Sequence, residues 1–145
     1  MKYAFVPILA LASLALFTRC TESESASRFK VISYKGVCSG YYIQDSGEVH
    51  YFDVTAAEDG STSYCSYSKD LDNPSSVTVC VNADGDDAPS SVTIYIYEDD
   101  AIAEKETFSR ESSSYWDNSL GAYVYTYTLS GSLTHDFSTD DSSSE

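Results

Sequence analysis

Two stretches of this chain alternate with a period of two. In SSVTVCVN (75–82), Val77, Val79 and Val81 fall on one face, and Thr78, Cys80 and Asn82 on the other. In SVTIYIYE (91–98), Val92, Ile94 and Ile96 share a face, and Thr93, Tyr95 and Tyr97 share its opposite. Successive side chains of a strand point to opposite sides of a sheet. Each stretch therefore predicts a strand with one buried aliphatic face and one half-wet face of Thr and Tyr. Beyond the N-terminal apolar run, no segment repeats its apolar residues at helical spacing.

Shorter runs of the same kind predict further strands over 28–34, 37–43, 48–54, 101–108 and 121–129, with a weaker one over 63–67. Tyr, Val, Thr and Ile dominate them, as strands favour. Turn-forming clusters separate the runs: Gln-Asp-Ser-Gly (44–47), Asp-Leu-Asp-Asn-Pro (70–74) and Asn-Ala-Asp-Gly-Asp-Asp (82–87). Residues 109–119, which include Trp116, read as a loop. Seven to eight short strands at regular spacing imply an all-β antiparallel sandwich or barrel over about 28–134. Residues 135–145 close the chain as an acidic, Ser-rich tail with too little apolar area to fold.

The N-terminus carries an address. Met1-Lys2-Tyr3 precedes an uncharged apolar run from Ala4 to Phe17, then Thr18, Arg19, Cys20 and the polar segment TESESAS. The run is too short for a membrane-spanning helix, which needs roughly 20 residues, and it fits a secretory signal. Basic start, apolar run, cysteine and polar tether is the order that a bacterial lipoprotein signal resembles. That resemblance implies a signal peptide over 1–19, lipid attachment at Cys20 and a tether over 20–27. Arg19 stands where a small residue is usual. The alternative is an unlipidated secreted or periplasmic protein, cut where Ser13 and Ala15 offer the small residues a signal peptidase reads.

Charge excludes some functions. The 145 residues contain 8 Lys and Arg against 23 Asp and Glu. Lys2 and Arg19 precede Cys20 and every acid follows it, so a chain starting at Cys20 carries 6 basic and 23 acidic residues, a net −17. Such a surface repels phosphate, which argues against nucleic acid as a partner and against basic-patch adhesion to anionic lipid. It favours a soluble, monomeric domain.

The block SSVTVCVNADGDDAPSSVTIYIYEDDAIAEKETF, followed by GAYVYTYTLSGSL, resembles small bacterial envelope proteins with an immunoglobulin-like β-sandwich. GYYIQDSGEVHYF is similar to the strand–turn–strand that precedes it in them. Small lipoproteins of Bacteroidetes look like this, as do the MmpS-type mycobacterial membrane proteins that accompany lipid exporters. The resemblance implies an immunoglobulin-like sandwich in the cell envelope. The MmpS likeness would imply an accessory subunit of a transport or secretion system.

Candidate sites are few. If Cys20 carries lipid, Cys38, Cys65 and Cys80 remain, and at most two of them can pair within the chain; Cys65–Cys80 has the spacing of neighbouring strands or an inter-sheet link. Asp84, Asp86 and Asp87 gather around Gly85 and make a weak calcium candidate, without the distant Glu of an EF-hand loop. A solvated hairpin turn is the simpler reading of them. No Cys-x-x-Cys pair suggests zinc. His50 and His135 are the only histidines, and no nucleophile–base arrangement surrounds either. Neither an enzyme nor a cofactor is indicated. Tyr95 and Tyr97 share one strand face, and Tyr123, Tyr125 and Tyr127 share another. On neighbouring strands they would form a platform for a sugar or a partner protein, or a cross-strand ladder that only stabilises the sheet. These readings converge on a non-enzymatic exported envelope protein, lipid-anchored, that binds a protein or glycan partner.

Overall fold

The computed structural model describes residues 26–45 and 47–137. The expected signal peptide over 1–19, the expected lipid-attachment residue Cys20 and residues 138–145 lie outside this range. The described residues form nine strands and no helix: β1 (Ser27–Tyr34), β2 (Cys38–Gln44), β3 (Val49–Val54), β4 (Tyr64–Leu71), β5 (Ser76–Asp84), β6 (Ser91–Glu98), β7 (Ala101–Ser109), β8 (Glu111–Asp117) and β9 (Ala122–Asp136). They build two antiparallel sheets, ordered β4-β1-β6-β7 and β3-β2-β5-β9-β8, packed as a β-sandwich.

The predicted faces hold. Val77, Val79, Val92, Ile94 and Ile96 have no solvent exposure, and Val81 is buried with them. An aromatic cluster fills the other part of the core. The Phe29 ring lies 5.1 Å from that of Tyr42 and 5.6 Å from that of Phe52, and Phe52 stacks on Tyr67 at 4.6 Å. Gly40 leaves room for the Phe52 ring, which a Cβ there would strike. Inter-sheet filling of this kind, by alternate residues of both inner faces, is what holds a sandwich together.

Turn chemistry sets several boundaries. Gly47 takes a φ of 70° in the β2–β3 hairpin. Asp99 and Asp100, at φ of 51° and 63°, make the tight turn from β6 to β7, matching two-residue hairpins that need positive φ at both centres. Asp45 clamps the β2–β3 turn to the start of β5. Its carboxylate accepts from the Ser75 N–H, the Ser75 hydroxyl and the Ser76 N–H, each at 2.8 Å.

Two expectations need correction. Residues 111–117 are not loop but strand β8, and Trp116 sits on it. Its sequence, ESSSYWD, has no apolar alternation because neither face is buried; pairing with β9 alone makes it a strand. The fold also runs past residue 134. His135 and Asp136 belong to β9, and Phe137 is buried in the core.

Candidate functional site

β9 is 15 residues long, and only its second half covers the core. Leu129 and Leu133 point inward and are buried. Tyr127, Tyr125 and Tyr123 continue the same face toward the hairpin turn, because the β5–β9 and β8–β9 registers run without a bulge. Tyr127 is half-buried, and Tyr125 and Tyr123 beyond it are exposed. The face emerges from the sandwich as an open aromatic shelf. β8 widens it: Trp116 pairs with Tyr123, Ser114 with Tyr125 and Ser112 with Tyr127. The Trp116 and Tyr123 rings meet edge to face at 5.1 Å, a favoured aromatic geometry. Trp116, Tyr123 and Tyr125 are 51%, 61% and 58% exposed. Tyr115 and Leu120, on the same hairpin, are also exposed. Large apolar side chains exposed together mark interaction sites more often than singly scattered ones do.

The shelf is held at both ends. At its tip, Asp117 accepts from the Ser119 N–H at 2.8 Å, the Ser119 hydroxyl at 2.5 Å and the Leu120 N–H at 3.2 Å. These bonds, the Ser119 hydroxyl first, hold the Asp117 carboxyl below its ordinary pKa. Gly121, at a φ of 61°, completes the turn. At its base, the Arg110 guanidinium lies 4.2 Å over the Tyr127 ring and donates to the Ala88 carbonyl at 3.1 Å. Ser113 and Thr126 hydroxyls bond across the other face of the hairpin at 2.6 Å.

The other tyrosines do not join this shelf. Tyr95 and Tyr97 lie on β6 in the four-stranded sheet, whereas β9 belongs to the five-stranded one. Tyr95 and Tyr97 stack on each other at 6.1 Å, with Lys105 over Tyr95 and Arg28 over Tyr97. That arrangement is a cation-capped ladder that stabilises the sheet's outer face.

The cysteines also fall differently from the expected pairing. Cys38, Cys65 and Cys80 are free thiols. Cys65 is buried in the core, while Cys80 alternates with Val79 and Val81 and faces outward, so the sheet separates it from Cys65. Instead, Cys80 hydrogen-bonds the side chain of Tyr41, its partner on β2, and this raises the Tyr41 hydroxyl's pKa. Asp84 and Asp87, with Asp53, border a cleft of about 760 Å³ at one end of the sandwich, and Asp86 lies off it. Among the described residues no three His, Cys, Asp or Glu side chains converge on a metal position.

No protein-family model, curated protein or solved structure matches this chain. Reading from the sequence found Tyr123, Tyr125 and Tyr127 but missed Trp116 and Ser114. A signal for them was present. Ser114-Tyr115-Trp116 and Tyr123-Val124-Tyr125 flank Asp-Asn-Ser-Leu-Gly, a turn cluster between two tyrosine-bearing segments.

Proposed function

We propose that this chain is an exported, non-enzymatic binding protein, held at a bacterial membrane by lipid on Cys20, whose aromatic shelf takes a glycan. The shelf carries the reading. Trp116, Tyr123 and Tyr125 present exposed rings beside the hydroxyls of Ser112 and Ser114. Sugar rings offer a flat C–H face that packs on aromatic rings and a rim of hydroxyls that serine can bond. With a mature charge of −17, a neutral glycan suits this surface better than an anionic one. The order of apolar run, Cys20 and acidic tether supports the export and anchoring part.

Trp116 is the chain's single tryptophan, so its fluorescence reports on the shelf directly. Titrating the protein with a panel of neutral oligosaccharides should shift or quench this emission saturably. Tyr125→Ala should weaken the response at least tenfold while the circular dichroism spectrum stays unchanged. If no neutral glycan alters the emission and a partner protein does, the shelf is a protein-docking face and the glycan reading fails.

A further inference from the structure

Two buried cysteines, one from each sheet, lie in the same core cluster as electrostatic neighbours. Cys38 opens β2 in the five-stranded sheet, and Cys65 lies near the start of β4 in the four-stranded sheet. Both are buried in the same cluster. The chain passes from β1 to β2 through only residues 35–37, which draws the two sheets together at this end. Lys35 and Gly36 donate backbone hydrogen bonds to the Ser63 and Thr62 carbonyls at 3.2 and 3.0 Å. The segment before Cys38 is thereby stapled to the segment before Cys65.

Ser33 fixes the side chains. It is the direct cross-strand partner of Cys65 on β1 and β4, so the two side chains stand next to each other on the inner face. The Ser33 hydroxyl donates to the Gly36 carbonyl at 2.6 Å, and the Ser33 side chain also hydrogen-bonds the Cys38 thiol. One buried serine therefore touches both cysteine positions. Cys38 also lines the cleft at this end, beside Asp53 and Val54, which gives a small oxidant a path to it.

We propose that Cys38 and Cys65 are an inter-sheet redox pair that closes to a disulfide when the protein meets a disulfide-bearing oxidant. The Cys38 thiolate attacks one sulfur of the oxidant's S–S bond, which breaks and releases one thiol. Cys65, once deprotonated, attacks the Cys38 sulfur of the mixed disulfide and releases the second thiol. Two electrons and two protons pass in all from the pair to the oxidant, which is reduced to two thiols. Burial is the main cause that raises the Cys38 thiol to about 11, with the neighbouring Cys65 and Asp53 charges adding to it against the Ser33 bond. The folded pair therefore closes slowly at neutral pH and faster as pH rises. Cys80 takes no part, since it lies on the outside of its sheet.

The test uses the full chain, equilibrated in a mixture of oxidised and reduced glutathione, quenched in acid, alkylated under denaturing conditions and digested with trypsin. No Lys or Arg lies between Cys38 and Cys65, so both fall in peptide 36–69, with Cys80 in peptide 70–105. As the oxidised fraction rises, peptide 36–69 should become unlabelled and two hydrogens lighter, while Cys80 stays labelled. Two labels on peptide 36–69 under oxidising conditions, a link from it to peptide 70–105, or glutathione retained on Cys38 would each overturn the proposal. A second measurement is independent of the map. Oxidation should raise the urea midpoint of the unsubstituted chain and leave that of Cys38→Ala unchanged; an equal rise in both overturns the pairing.

Discussion

The ring of Phe108 in β7 lies directly against the backbone of Gly131 in β9, in the space a side chain would occupy. The contact joins the two sheets beside Leu129 and Leu133. Gly131 has no positive φ, so the position needs glycine for room and not for backbone freedom. Gly131→Ala should destabilise the domain by about 1–3 kcal/mol through overpacking. Urea unfolding followed by circular dichroism measures it. Gly131→Ala in combination with Phe108→Leu should recover part of the loss, because the smaller side chain yields the space.

The inner aliphatic faces make a second prediction. Val79 and Ile94 come from different sheets and are both fully buried. Ile94→Ala should cost about 2–4 kcal/mol and Val79→Ala somewhat less, from lost transfer energy and the cavity left behind. Shifts below about 0.5 kcal/mol for both would contradict a shared, close-packed interior.

A third prediction concerns pH. Hydrogen bonds, from the Ser75 N–H first and then the Ser76 N–H and the Ser75 hydroxyl, lower the Asp45 pKa. A depressed carboxyl pKa adds stability above the unfolded-state value, about 3.9, and loses it as pH falls through the folded-state value. Asp45→Asn should therefore lower the urea midpoint at pH 7 and leave it nearly unchanged near pH 2. An equal loss at both pH values would show that the charge at Asp45 contributes nothing.

Most of the fold was legible in the sequence for one physical reason. A half-buried strand must alternate, and Val77-Thr78-Val79-Cys80-Val81 and Val92-Thr93-Ile94-Tyr95-Ile96 do so without interruption. β8 was invisible for the converse reason: with neither face buried, Glu111–Asp117 has no apolar period to read. Tyrosine misled as well. It suits both wet and buried strand faces, so alternation gave the face of Tyr95 and of Tyr125 but not the sheet each belongs to. Strand order is a long-range property, and it separated those two faces. The same holds for Cys65 and Cys80, whose closeness in sequence conceals the sheet between them.

A fourth prediction concerns the anchor. If Cys20 carries lipid, the wild type expressed in a bacterium with the lipidation pathway should partition into the detergent phase, and Cys20→Ser into the aqueous phase. A mature lipoprotein carries several acyl chains, enough for stable attachment without a basic patch. Aqueous partitioning of both forms would leave Cys20 as an ordinary cysteine.

The position of β1 has a consequence in time. It is an inner strand of its sheet, with β4 on one side and β6 on the other, and its first residue, Ser27, pairs with Glu98. Of the nine described strands β1 emerges first during synthesis, and it then has an open edge until β6 follows. Long-range pairing of this kind makes sandwiches slow to fold. The N-terminal half therefore stays threadable until most of the chain has been made, and its exposed β1 edge is where unwanted strand pairing can begin in that interval.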